Sequence, residues 1–87
     1  MENQNNIFTT SDTKTSAYLL TCGIPLIKII KDNPYKIIFG FQQNDKVKKH
    51  LQDYWTNKAK VNPRQLFDNL DYLKDLIHRD YDIKKMN

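Results

Sequence analysis

The stretch LIKIIKDNPYKIIFGFQ, residues 26–42, decides the fold of this chain. In its second half, Ile37, Phe39 and Phe41 alternate with residues that point the other way. This period of two is typical of a strand with one buried face. The first half, residues 26–31, is rich in isoleucine and also predicts a strand. Two such strands, close in sequence, predict an antiparallel hairpin.

The connection between these strands has the chemistry of a turn. Residues 32–35, Asp-Asn-Pro-Tyr, favour a turn but contain no Asn-Gly pair, so we expect a loop of about four residues or a looser one. Gly40 interrupts the second strand. A glycine in the interior of a strand indicates a bulge or the close approach of another element, here a helix.

Before the hairpin, the sequence predicts a short strand and a helix. Residues 7–10 are β-branched and aromatic, as in strands. Residues 13–22 follow Ser11 and Asp12, either of which can cap a helix N-terminus, and they end at Gly23, a residue that commonly terminates helices. The expected inward-facing side chains of this helix are Ala17, Leu20, Tyr18 and Cys22.

Two further helices follow the hairpin. We expect one from residue 45 to about residue 57, capped by Asn44 or Asp45, and one over residues 63–79. The latter has a well-marked start, with Asn62 as its N-cap and Pro63 in the first helical position. The apolar residues fall at helical spacing: Val47, Leu51, Tyr54 and Trp55 in one helix, and Leu66, Phe67, Leu70, Leu73, Leu76 and Ile77 in the other.

The predicted element order is therefore β-α-β-β-α-α, which indicates the α+β class. We expect a small antiparallel sheet, made of the hairpin and the short N-terminal strand, packed against three helices. The 87 residues allow one domain, which we place at residues 7–80. Residues 1–6 are expected to be a disordered tail and residues 81–87 a loose C-terminal tail.

Composition indicates a protein of the cytoplasm. Cys22 is the chain's one cysteine, so no internal disulfide can form, which fits a reducing compartment. The first six residues are polar and include an acid, unlike a signal peptide. The most apolar stretch, residues 24–30, contains Pro25 and Lys28 and is too short to span a bilayer.

The positive charge of the chain is concentrated in one segment. Residues 46–64 contain six basic residues and one acid, whereas the rest of the chain is nearly neutral. The basic residues are Lys46, Lys48, Lys49, Lys58, Lys60 and Arg64. We expect them to form one electropositive surface that contacts a polyanion such as nucleic acid. The alternative interpretation is a solvated surface that only keeps the domain soluble.

Aromatic residues could add base stacking to this surface. Tyr54 and Trp55 lie within the basic segment and could stack on an unpaired base. Both fall on the apolar stripe of their helix, however, so we predict that they pack in the core. We make the same prediction for Phe39 and Phe41, because the basic-glycine-aromatic signature of an RNA-recognition sheet is missing around them.

Several short motifs are spread along the chain: FTTSD at residues 8–12, AYLL at 17–20, Gly23 with Pro25-Leu26, FGF at 39–41, YW at 54–55, VNPR at 61–64 and LKDLI at 73–77. With these motifs the chain resembles a small uncharacterised family of phage and bacterial proteins, over residues 7–79. The resemblance implies a phage or mobile-element setting, where small basic accessory proteins often act on nucleic acid or on a host protein.

The remaining chemical groups do not predict catalysis. His50 and His78 lack a partner at metal-ligand spacing. Cys22 lies at a helix C-terminus, which disfavours a thiolate. A further set, Asp68, Asp71 and Asp75, shares one helix face. It could hold a divalent cation, but we interpret it as a solvated face. We therefore predict no metal, no cofactor and no enzymatic activity.

The favoured hypothesis is a non-enzymatic accessory protein that binds the nucleic-acid backbone through its basic segment. The alternative is a protein-interaction module, either a homodimer or an inhibitor that docks on an acidic surface of a host protein. A metal-dependent enzyme built on the aspartates ranks third. We expect no membrane partner.

Overall fold

The computed structural model describes residues 6–33 and 36–86, and the side chains of residues 6–31 and 36–78. It contains a three-stranded sheet and three helices in the order β-α-β-β-α-α, a small α+β fold as predicted. The elements are β1 (Ile7–Thr10), α1 (Thr13–Thr21), β2 (Leu26–Asn33), β3 (Lys36–Gln42), α2 (Asp45–Trp55) and α3 (Pro63–Met86).

The sheet is antiparallel throughout, with β3 in the centre between β1 and β2. The predicted hairpin is confirmed, and β2 runs two residues further than expected, to Asn33, which pairs with Lys36. The predicted loop at residues 32–35 is therefore shorter than expected, and its last two residues lie outside the described part of the chain.

Gly40 lies where the two long strands change register. Leu26 pairs with Phe41 but Lys28 pairs with Gly40, so β2 contains one extra residue at this point, and the predicted bulge is confirmed. A Cβ atom on Gly40 would lie 3.1 Å from Ile7 Cγ2 and 3.1 Å from Lys28 Cβ. The close approach at this glycine comes from the two flanking strands, not from a helix.

One face of the sheet forms the core. Ile37, Phe39 and Phe41 are all buried, as their alternation predicts. They join a single cluster with residues of all three helices: Ala17, Tyr18 and Leu19 of α1, Val47 and Leu51 of α2, and Leu73 of α3. The opposite face carries exposed side chains, among them Thr9, Lys28 and Gln42.

The first helix lies at the centre of this packing. Asp12 caps it by accepting a hydrogen bond from the Lys14 N–H, and Gly23 follows its end with a φ of 89°. Even its polar residues Thr15 and Ser16 are buried. Their hydroxyls donate to the Asp12 side chain (2.6 Å) and backbone carbonyl (3.1 Å), so neither donor is left unsatisfied.

Side chains of α1 also hold the other two helices in place. The buried hydroxyl of Tyr18 donates to the His50 carbonyl of α2 at 2.9 Å, and its ring stacks on Tyr54 with a centroid separation of 4.8 Å. On the other side, Asn69 of α3 donates to the Thr21 hydroxyl at 2.9 Å. These bonds fix the orientation of α2 and α3, the helices that carry the basic segment.

The third helix extends further than predicted. It was expected to end near residue 79 and to be followed by a loose tail, but it continues to Met86. No glycine or proline occurs after Pro63, so nothing in the sequence terminates the helix earlier. Phe67, one of its apolar residues at helical spacing, is 60% exposed. The tail predicted at residues 1–6 lies outside the described residues except for Asn6, whose carbonyl accepts from the Gln43 N–H.

Candidate nucleic-acid interface

The second helix positions half of the basic residues. It begins after Asn44, whose Oδ1 accepts a hydrogen bond from the Val47 N–H at 3.0 Å. Val47 and Leu51 bury one face of the helix in the core. This burial fixes the rotation of the helix about its axis and thereby decides the direction in which each lysine points.

The three lysines of α2 are all exposed but do not form one row. At about 100° per residue, Lys46 and Lys48 lie roughly 160° apart around the helix, on its two flanks. Lys49 points outward between them and pairs with Asp53 at 3.7 Å. The pair is largely solvated, so it reduces the positive charge at Lys49 without stabilising the fold much. The expected single electropositive surface is therefore split at this helix.

The segment after α2 presents two more lysines. The helix ends at Trp55, and Asn57 adopts a left-handed conformation with a φ of 64°. The Lys58 N–H then donates to the Asp53 carbonyl at 2.8 Å, which ties the segment to the last turn of the helix. Beyond it, Ala59 and Val61 pack against the core, while Lys58 and Lys60 point to solvent.

Arg64 lies in the first turn of α3 and is exposed. Asn62 caps this helix as predicted, because its Oδ1 accepts from the Gln65 N–H at 3.1 Å. Pro63 has no N–H, and the Leu66 N–H donates to the Asn62 carbonyl, so the Arg64 N–H and the helix dipole are what this end of the helix offers to an anion. Arg64 adds a full positive charge beside them.

The two aromatic residues of α2 differ in burial. Tyr54 is partly buried and stacks on Tyr18, as its predicted core position requires. Trp55 is 65% exposed, so the prediction that it packs in the core is wrong. At about 100° per residue it lies roughly 80° from Val47, at the margin of the apolar stripe. Its side chain lies on the same flank of the helix as Lys48.

The other candidate groups remain apart. His50 is half-buried at the edge of the stripe, as predicted, and His78 is exposed. Burial raises the pKa of the Cys22 thiol, an effect that the nearby Asp53 strengthens and a hydrogen bond with Tyr18 partly opposes. The aspartates at positions 68, 71 and 75 are exposed. Within residues 6–31 and 36–78, whose side chains the structure describes, no three metal-ligating groups lie close enough together to hold an ion.

No helix in the described part of the chain combines the length and the apolar character needed to cross a bilayer. The fold and the exposed cations together define a small α+β domain with a basic surface segment. The chain belongs to the family described as Domain of unknown function (DUF5659), whose model matches residues 5–79. No curated protein and no solved structure matches it.

Proposed function

We propose that this chain is a non-enzymatic accessory protein of a phage or mobile element that acts in the cytoplasm by binding the nucleic-acid backbone. The contacts come from the six basic residues of the segment 46–64. One observation carries the proposal. All six side chains are exposed, and of these six only Lys49 pairs with an acid among the described residues. Five cations are thus available to phosphates without first breaking an ion pair.

The arrangement supports binding with little sequence preference. Lysines on two flanks of α2 and in the following segment suit contacts to several phosphates along a strand. About three to five such contacts predict that log K falls against log[salt] with a slope of about −3 to −5 on duplex DNA.

The test compares two quadruple variants with equal charge. In the first, Lys48, Lys49, Lys58 and Lys60 become Glu; in the second, four exposed lysines outside the segment (Lys14, Lys28, Lys36 and Lys74) become Glu. Each set changes the net charge from +4 to −4, because every replacement of Lys by Glu lowers the net charge by two. Fluorescence anisotropy with a labelled oligonucleotide measures binding, and circular dichroism checks the fold.

We expect the first variant to lose binding and the second to retain most of it. Equal losses would mean that only net charge matters. Retained binding by the first variant would show that the segment does not contact nucleic acid.

The alternative, a protein-interaction module, is favoured by one edge of the sheet. Among the described residues, the strand β2 pairs with β3 alone, and Ile27 (50%), Ile29 (45%) and Ile30 (38%) are exposed on it. These isoleucines make an open apolar edge that can template another strand, even though Lys28 and Lys31 of the same strand oppose pairing. A second copy of the chain can supply that strand by antiparallel pairing of β2 with itself.

Light scattering after size-exclusion chromatography tests this homodimer. We expect Ile29→Lys to give a monomer, because a lysine at the edge opposes strand pairing. Tyr72→Lys, a change at a residue of similar exposure (49%) on α3, serves as the control and should not alter the mass. A wild-type protein that stays monomeric at every concentration would contradict the alternative.

A further inference from the structure

A groove lies between α2 and the first strand, on the flank of the helix that carries Trp55. Its volume is about 350 Å³, at the lower end of the range for ligand clefts. Its lining includes Phe8, Gln43, Lys48, Gln52 and Trp55. The groove therefore combines two aromatic rings, two amides and one cation.

We infer that this groove holds one unpaired base stacked on Trp55, so that the chain prefers single-stranded to double-stranded nucleic acid. The inference rests on the proposed function and deepens it. A base in a duplex is stacked on both faces and offers no free ring surface, whereas an unpaired base can turn out and stack on an aromatic side chain. Phosphate contacts alone would give no such preference.

The exposure of Trp55 is the first observation behind the inference. An indole that is 65% exposed leaves a large apolar surface in water, which is unfavourable unless a ligand covers it. Trp55 occupies the last residue of α2, where the helix backbone holds it at a fixed position. A base stacking on the ring would remove that surface from water without moving the helix.

Gln43 supplies a second, independent observation. The Oε1 atom of its side chain is buried and accepts no hydrogen bond from any residue that the structure describes. The backbone of Gln43 is fixed, since its N–H donates to the Asn6 carbonyl at 3.1 Å. The amide can therefore rotate towards the groove without breaking a bond at this oxygen. An amide oxygen and NH₂ group match the acceptors and donors on the edge of a base.

Lys48 provides the charge that a nucleotide requires. It lines the same groove as Trp55 and has no acidic partner among the described residues, so its ammonium group is available to a phosphate flanking the stacked base. Stacking surface, hydrogen-bonding amides and a cation thus lie together. A purely apolar partner would leave both the lysine and the Gln43 oxygen unused.

The fluorescence of Trp55 provides a direct assay because it is the chain's one tryptophan. Three probes are titrated: a single-stranded oligonucleotide of about 12 nucleotides, an abasic strand with the same number of phosphates, and a duplex of the same length. We expect the single strand to quench the indole emission. The abasic strand should bind about 5- to 140-fold more weakly and without quenching, because stacking is lost while phosphate contacts remain.

Variants separate the groove from the basic segment. Trp55→Ala should reduce the affinity for the single strand by about 5- to 140-fold and leave the affinity for the abasic strand unchanged. Trp55→Phe, which keeps an aromatic ring, should retain most of the affinity for the single strand. Phe67→Ala removes an aromatic ring of similar exposure (60%) outside the groove and is the matched control.

The outcomes distinguish the two proposals. If all three probes bind equally and none quenches, the groove holds no base, although backbone binding stands. If no probe binds, both proposals fail. If Trp55→Ala changes self-association instead of oligonucleotide binding, the groove serves a protein and the inference is overturned.

Discussion

Replacing Tyr18 by Phe removes one hydroxyl and tests how α2 is held in place. The hydroxyl donates to the His50 carbonyl at 2.9 Å and is buried, while the ring that stacks on Tyr54 is kept in the variant. A hydrogen bond of this kind contributes about 1 kcal/mol to the free energy of unfolding. We therefore expect Tyr18→Phe to lower that free energy by about 1 kcal/mol at neutral pH.

The same hydroxyl predicts a pH dependence. Burial raises the pKa of Tyr18 far above its usual value of 10.0, and the neighbouring Cys22 and Asp53 act in the same direction. Above about pH 10 the folded state therefore binds more protons than the unfolded chain, so stability falls as pH rises through this range. By about pH 11 the loss is about 1.4 kcal/mol. This loss is absent in Tyr18→Phe.

The assay is urea unfolding followed by circular dichroism at about pH 8 and about pH 11. The advantage of wild type over Tyr18→Phe should fall from about 1 kcal/mol at pH 8 to about −0.4 kcal/mol at pH 11, so the variant becomes slightly the more stable protein. Tyr72→Phe, which removes an exposed hydroxyl, should change little at either pH. If the difference in free energy of unfolding stays constant from pH 8 to pH 11, burial does not raise the pKa of Tyr18.

Two further changes test the fold. Gly40→Ala places a methyl group 3.1 Å from Ile7 Cγ2 and Lys28 Cβ. We expect the free energy of unfolding in urea to fall by about 1–3 kcal/mol. An unchanged unfolding midpoint would mean that the flanking strands move apart to accept the methyl group at no cost in stability. Asn62→Ala removes the cap of α3 and should cost about 1 kcal/mol. Asn62→Asp keeps a side-chain acceptor and should therefore retain most of the stability lost in Asn62→Ala. If Asn62→Asp is as unstable as Asn62→Ala, the capping hydrogen bond is not the cause of the loss.

Local patterns predicted the strands and the helix starts well. The alternation of Ile37, Phe39 and Phe41 requires one buried face whatever packs on it, and Asn62-Pro63 starts a helix through contacts within a few residues. Trp55 was mispredicted because it lies at the margin of an apolar stripe. Whether such a residue is buried depends on how far the neighbouring element extends, which local spacing does not encode.

The candidate site shows the same limit. The lysines are expected to be exposed because charged side chains are rarely buried. Their arrangement around α2, in contrast, depends on which face of the helix is buried. The spacing of Lys46 and Lys48, two residues apart, already implies opposite flanks at about 100° per residue, so this part of the split surface was accessible from sequence. The groove beside Trp55 could not be predicted from the sequence, because Phe8 and Gln43 reach it through strand pairing that joins distant parts of the chain.

Self-association and nucleic-acid binding can operate together in this fold. The groove lies beside β1 and the open apolar edge belongs to β2, so the two surfaces occupy opposite edges of the sheet. A dimer paired through β2 would carry one groove at each outer end of a continuous sheet. A single-stranded oligonucleotide long enough to reach both grooves should then bind about 10²- to 10⁴-fold more tightly than an oligonucleotide that reaches one groove. Ile29→Lys should abolish this gain for long strands while short strands still quench Trp55. If the gain persists in a protein that light scattering shows to be monomeric, the dimer does not account for it.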